Sequence, residues 1–258
     1  LNVTREHPAG VSFTGPLRDG YLACLASRTA SRVLLVLGTV PVDTPEAMYE
    51  AIRDFPWEDH LAPDGTLAID VVGQGPAWLR HSQFAAQKAK DAIVDRFRER
   101  SGGRPSVDLG SPDLRLNLSF MRQRASLAID LSGEPLHRRG YRQSGVEAPL
   151  KESLAAALLM RCGWPAIAAA GGGFADPMCG SGTLVIEAAL MAADIAPGLL
   201  RRRFGFERWR QHRPETWEEL RAEALARRRP DAVSPGRFRG YDREQSAIRA
   251  ALANSGRC

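Results

Sequence analysis

The chain has 258 residues, 44% hydrophobic and 25% charged, which is enough for two ordinary domains with real cores and too apolar for a disordered polymer. Its net charge of +5 at pH 7 and pI near 9.3 permit a nucleic-acid partner without requiring one. Glu187 interrupts the longest apolar run before it reaches membrane-spanning length, and Cys24, Cys162, Cys179 and Cys258 lack the close spacing of a zinc site or a disulfide scaffold, so a cytoplasmic protein with no metal and no membrane partner is expected. The chain starts at Leu1 rather than Met, which implies that N-terminal sequence has been removed or is not included.

Taken in order, the chain opens on a small α+β pattern: a strand over 11–14, a helix over 17–27 and a strand over 33–38. The periodicity then predicts a helix over 46–55, a strand over 66–72, a helix over 84–100 and strands over 113–120 and 125–131. In the long helix Ala86, Ala89, Ile93 and Phe97 share an apolar face, while Lys88, Asp91, Asp95 and Arg98 lie elsewhere. From Ser132 to Pro149 the composition shifts to Gly, Pro and Arg, as in a linker or a structured crossing between domains. Arg138, Arg139 and Arg142 surround Tyr141, a set that can hold phosphate and stack a base, or can equally form a solvated linker face. A helix over 151–162 follows. The approach to Asp176 is poorly marked as a strand, since residues 168–173 read Ala-Ala-Ala-Gly-Gly-Gly and only Phe174 and Ala175 favour one. Residues 201–239 are rich in arginine, contain Trp209 and Trp217, and include a predicted helix over 215–229; they suit an RNA backbone or a helix that buries its Trp. A last helix is predicted over 245–254.

The chain is organised around Asp176-Pro177-Met178-Cys179-Gly180-Ser181-Gly182-Thr183, followed at once by an apolar helical run over 184–193. Pro177 favours an extended Asp176, the two glycines allow a tight turn, and Thr183 is placed to cap the helix. Strand, turn, helix is the pattern, with backbone N–H groups at the positive end of a helix open to an anionic or carboxylate-bearing ligand. A P-loop is excluded because Thr183 and Leu184, not Lys, follow Gly182; a nucleophile elbow is excluded because Ser181 sits in Gly-Ser-Gly. No acid stands at the spacing of a dinucleotide fingerprint. Asp242, after Phe238-Arg239-Gly240-Tyr241, sits at the end of a second strand where a carboxylate can accept a ribose diol, or can cap the helix that follows.

The motif resembles the first S-adenosylmethionine motif of the Rossmann-fold methyltransferases that modify exocyclic amines of bases. The run from Asp130-Leu131-Ser132-Gly133-Glu134-Pro135 through Leu136-His137-Arg138-Arg139-Gly140-Tyr141-Arg142, with Lys151-Glu152-Ser153-Leu154-Ala155-Ala156-Ala157 and Met160-Arg161-Cys162-Gly163-Trp164, is similar to the N-terminal half of bacterial THUMP-containing 23S ribosomal RNA guanine-N2 methyltransferases. The stretch Arg80-His81-Ser82-Gln83 to Asp95 resembles the matching helix of THUMP domains, which are RNA-binding modules. The resemblance implies an α+β THUMP region with a small ferredoxin-like part, followed by the start of an α/β Rossmann-like methyltransferase domain that is incomplete in this chain. The implied divisions are residues 1–41 ferredoxin-like, 42–132 THUMP, 133–150 linker and 151–258 methyltransferase. It further implies S-adenosylmethionine as cofactor, held by Asp176, Pro177, Cys179, Gly180, Ser181, Gly182, Thr183 and Asp242, with Glu244 a less favoured neighbour. The partner is then 23S ribosomal RNA or its assembly intermediate, with Arg138, Arg139, Tyr141 and Arg142 as RNA contacts.

Guanine N2 is a poor nucleophile because the ring delocalises its lone pair, and the family grips the amine with an Asn-Pro-Pro-Tyr motif. Here Asn2, Asn117 and Asn254 are followed by Val, Leu and Ser, so the chain has no Asn-Pro and is expected to be a fragment in which no catalytic residue can be named. Two other functions fit parts of the sequence: an adenine-N6 methyltransferase acting on DNA, and a non-catalytic RNA-binding module.

Overall fold

The computed structural model describes residues 2–8, 10–79, 81–142 and 149–258. In chain order the elements are β1 (Asn2–His7), β2 (Gly10–Thr14), α1 (Leu17–Ala26), β3 (Leu34–Pro41), α2 (Pro45–Arg53), β4 (Thr66–Gln74), α3 (Ser82–Ser101), β5 (Ser106–Val107), β6 (Leu114–Met121), β7 (Arg124–Asp130), α4 (Glu152–Arg161), α5 (Trp164–Ala169), β8 (Phe174–Asp176), α6 (Thr183–Ala192), α7 (Pro214–Ala226), β9 (Phe238–Gly240) and α8 (Gln245–Ser255). They form two compact units, one of residues 32–134 and 203–214, the other of residues 1–31, 135–202 and 215–258.

The first unit is a five-stranded mixed sheet in the order β3-β7-β6-β4-β5, with β4 parallel to both β6 and β5 and the remaining pairs antiparallel. β6 and β7 alternate tightly enough to close through a two-residue turn in which Arg122 takes a left-handed φ of 57°. Helices α2 and α3 pack on each other. Their buried residues, Met48 and Ile52 from one and Ala89, Ile93 and Phe97 from the other, join Leu116, Leu118 and Ile129 of the sheet in the core. The apolar face read from α3 holds at Ala89, Ile93 and Phe97, but Ala86 is only half-buried and Ala85 takes the core position instead. Residues 34–41, expected in the N-terminal part, complete this sheet as β3 through their pairing with β7.

Residues 203–214 cover the same unit with aromatic rings. Phe204 and Phe206 stack at 5.3 Å, and Trp209 lies parallel to His60 at 5.9 Å while its Nε1–H donates to His60 Nδ1 at 3.1 Å. Burial pushes the His60 pKa down, and the neutral ring is the form whose Nδ1 can accept that hydrogen bond.

The second unit carries the β1–β2 hairpin, α1 and the helices around a two-stranded parallel pair, β8 and β9. Trp164 donates its Nε1–H to the Ala188 carbonyl at 2.9 Å and meets Phe174 and Phe238 edge-on, which seats α5 and both strands against α6. The alanines expected to lead into a strand are helical, Ala168 and Ala169 closing α5, because alanine favours helix. Trp217 of α7 packs edge-on against Tyr21 of α1 at 6.3 Å. Both tryptophans of the arginine-rich region are therefore buried, with its exposed arginines left at the surface. Arg80 and residues 143–148, which belong to the helix and linker expectations, lie outside the described residues.

Replacing Trp209 by Ala removes a buried ring and its hydrogen bond, so denaturant unfolding should show a loss of about 3–5 kcal/mol. The exposed neighbour Arg210→Ala should stay within about 0.5 kcal/mol of the parent.

Candidate functional site

β8 and β9 run parallel in the register Phe174 to Phe238 and Asp176 to Gly240, and the pairing does not stop where the strands end. The Tyr241 N–H donates to the Asp176 carbonyl at 2.8 Å, the Cys179 N–H donates to the Tyr241 carbonyl at 2.8 Å, and the Gly180 N–H donates to Asp242 Oδ2 at 2.9 Å. The turn is thereby tied to the end of β9 bond by bond. Within it, Asp176 Oδ1 accepts the Met178 N–H at 3.0 Å and the Cys179 carbonyl accepts the Gly182 N–H at 2.8 Å.

Glycine is required where the turn meets its neighbours. Gly182 has φ 80°, and a Cβ there would stand 3.0 Å from the Ala251 Cβ of α8; a Cβ on Gly240 would stand 2.9 Å from Cys179 Sγ. Gly182 is also the residue preceding α6, so no side chain caps the first-turn amides of that helix, and a Cβ at Gly180 would meet nothing within 4 Å. An uncapped helix N-terminus beside open space fits a carboxylate or another anion.

Asp242 brings a carboxylate to the same place. Its Oδ1 accepts the Glu244 N–H at 2.9 Å and its Oδ2 accepts the Gly180 N–H, and these two backbone hydrogen bonds, that of Glu244 first, hold its pKa below the ordinary aspartate value. Each oxygen keeps a further lone pair for a hydroxyl donor. Cys179 is 7% exposed and burial, with the Asp176 and Asp242 carboxylates adding to it, pushes its thiol pKa up, so it packs rather than reacts.

Thr183 is not the cap expected from the sequence. It is the first helical residue, and its Oγ1 accepts from Arg142 Nη2 at 2.9 Å. The same guanidinium donates to Ser181 Oγ at 2.9 Å, to the Leu150 carbonyl at 2.8 Å and to Glu152 Oε1 at 2.8 Å. Arg142 thus faces the turn.

The other residues expected to meet RNA divide. Arg139 and Tyr141 are each 1% exposed, which corrects their reading as a surface: a buried guanidinium and ring have no face to offer a nucleic acid. Arg139 donates to the Leu136 carbonyl at 2.7 Å and to the Arg28 carbonyl, and its Nε lies 3.5 Å from Glu187 Oε1, which also receives the Tyr141 hydroxyl at 3.4 Å. Burial raises the Glu187 pKa against the opposing pull of Arg139 and Arg28, and burial raises that of Tyr141. Arg138 alone of the four is exposed. The 139–142 strap is legible only once α6 is in place, since Glu187 and Thr183 stand four residues apart on one face of that helix.

In the other unit a groove of about 880 Å³ runs beside β4, lined by Asn117, Ser119, Gln83, Gln87 and Lys90 among others. Asn117 is 5% exposed and its Oδ1 has no hydrogen-bond partner among the described residues. No signal in the sequence had singled it out. Among the described residues no group of His, Cys, Asp and Glu could hold a metal ion, and no helix is long and apolar enough to cross a membrane.

Comparison with known proteins gives each part a relative. Residues 1–34 match the RlmL ferredoxin-like domain, 42–130 the THUMP domain and 139–258 the RMKL-like methyltransferase domain. Ribosomal RNA large subunit methyltransferase K/L of Syntrophotalea carbinolica is 53% identical over 97% of this chain, which spans 35% of that protein's length. A crystal structure from Listeria monocytogenes, described as that of a predicted N6-adenine-specific DNA methylase, is 34% identical with a TM-score of 0.82, covering 96% of this chain and 63% of the other. SMU.472, a putative methyltransferase solved in complex with SAH, is 28% identical with a TM-score of 0.79 over the same shares. The chain accordingly carries, in series, a ferredoxin-like part, a THUMP domain and a Rossmann-like methyltransferase region.

Proposed function

We propose that the chain is the THUMP region and cofactor-binding part of an S-adenosylmethionine-dependent enzyme that methylates the exocyclic N2 amine of a guanine in 23S ribosomal RNA. The observation that carries the cofactor part of this reading is the turn between β8 and α6, uncapped at the helix and tied through Gly180 to Asp242. The ribosomal RNA methyltransferase names of the relatives and the THUMP match support RNA as the substrate.

S-adenosylmethionine supplies an electrophilic methyl group when bound. The first-turn amides of α6 and the Ser181 and Thr183 hydroxyls would hold its carboxylate, and the lone pairs left on Asp242 would accept the ribose hydroxyls, with Asp176, Pro177, Cys179, Gly180 and Gly182 setting the turn's path. For RNA we assign the groove around Asn117 and Lys90, together with Arg138 and the exposed arginines of 201–239, as the contact surfaces. Such an enzyme works in the cytoplasm, on 23S ribosomal RNA or an assembly intermediate. Adenine-N6 methylation of DNA is the second possibility, favoured by the activity named for the Listeria protein and opposed by the THUMP domain.

Calorimetry with S-adenosylhomocysteine tests the site. Asp242→Ala should weaken binding roughly tenfold or more through loss of two charge-assisted hydrogen bonds; an unchanged affinity would make Asp242 only a brace for the turn. Because the native carboxyl titrates below the ordinary aspartate value, its contribution is present at neutral pH, persists through the usual aspartate range and is lost only as pH falls through the lowered pKa. A loss of affinity beginning near neutrality would contradict this.

The 258 residues contain no Asn-Pro, so by themselves they should bind cofactor without turning over. Tritiated methyl incorporation into unmodified ribosomal RNA should stay at background. Replacing Lys90 or Arg138 by Ala should each lower the slope of log RNA affinity against log salt by about 0.7, read by fluorescence anisotropy on a single-stranded RNA.

A further inference from the structure

We infer that Arg142 is a positioning residue of the cofactor site: its guanidinium holds the buried Ser181 and Thr183 hydroxyls as acceptors on either side of the residue that precedes α6, which leaves their protons free to donate to a ligand. The assignment rests on the cofactor role proposed for the turn. Four N–H donors of the fork are committed, one to Glu152, one to Ser181 and two to Leu150 and Thr183, all between 2.8 and 2.9 Å. The Arg142 side chain is 18% exposed and that of Glu152 5% exposed, so the ion pair is shielded from water and the geometry is held.

The chemistry follows from what each group can do. A guanidinium donates only, so a hydroxyl bonded to it must act there as acceptor and send its own proton elsewhere. Ser181 and Thr183 flank Gly182, the residue that precedes α6, and their hydroxyl donors add to the first-turn amides in favour of an anionic group. Ser181 is held from its other side as well, since its carbonyl accepts from the buried Asn254 Nδ2 at 3.0 Å. A bare cation at a helix N-terminus would oppose the helix dipole, and the Glu152 carboxylate offsets that charge. What Arg142 contributes is therefore orientation. Lysine cannot replace it, because one ammonium cannot span two hydroxyls, a carbonyl and a carboxylate in a planar fork.

The test is the affinity of the full chain for S-adenosylhomocysteine, measured beside its affinity for single-stranded RNA and its thermal unfolding. Arg142→Lys and Arg142→Ala should each raise the S-adenosylhomocysteine dissociation constant roughly tenfold and leave RNA affinity within roughly twofold. In the background of Ser181→Ala with Thr183→Val, the same Arg142 substitutions should have little further effect, because the hydroxyls through which Arg142 acts are gone. Full additivity in that cycle, or an unchanged dissociation constant in either single variant, overturns the assignment. RNA affinity that falls while S-adenosylhomocysteine affinity holds would make Arg142 an RNA contact instead. A chain that loses its fold with both substitutions assigns Arg142 to folding and likewise overturns the positioning role. If the unaltered chain itself binds no S-adenosylhomocysteine, the cofactor role of the turn fails and this assignment falls with it.

Discussion

The continued pairing of two backbones beyond the ends of β8 and β9 is the constraint on which the candidate site depends. Strands this short hold little by themselves, with three register pairs between them. The amides of Tyr241 and Cys179 extend the ladder, and the Asp242 carboxylate closes it on the Gly180 N–H. That last bond places a charged group from β9's end against the turn's own backbone. The turn thus acquires its shape from residues more than sixty positions downstream, and the acid acquires its depressed pKa in part from the turn.

A second set of contacts approaches α6 along another line. Residues 139–142 run beside the helix, with Arg139 and Tyr141 reaching Glu187 and Arg142 reaching Thr183 one turn earlier. Gly140 allows the strap to lie close: it has φ 109°, and a Cβ there would be 2.3 Å from the Leu200 carbonyl oxygen. Arg28 closes the arrangement by donating to the carbonyls of Leu190 and Ile195 at and beyond the end of the helix. Arg139, Tyr141 and Glu187 are all buried in this set, so the strap has interior partners that its Gly- and Arg-rich composition does not reveal.

That contrast marks what the sequence could and could not disclose. Periodicity located α2, α3, β4, β6, β7, α6 and α8 within a few residues, because each has an apolar face at the helical or strand period. The first-motif turn was legible from Pro177, Gly180 and Gly182, whose backbone preferences are local. Arg139, Tyr141 and Arg142 were not, since an arginine beside an aromatic ring looks the same whether its partner is a phosphate or Glu187. Their partners in the turn and in α6 lie 39 to 48 residues away, where no spacing rule reaches. Thr183 departs from its expected role for a related reason: a hydroxyl able to cap a helix is instead bound to Arg142. Trp209 and Trp217 sit among arginines in sequence, and only the rings they meet, His60 and Tyr21, decided that they are buried.

The uncapped start of α6 and the Gly180–Asp242 clip together make one candidate ligand site. Amide chemical-shift mapping of the isotopically labelled chain during addition of S-adenosylhomocysteine tests it most directly. Saturable shifts should concentrate at Gly180, Ser181, Gly182, Thr183 and Asp242, with residues 32–134 unaffected. Shifts confined to residues 32–134, or saturation that leaves those five amides unmoved, would contradict it.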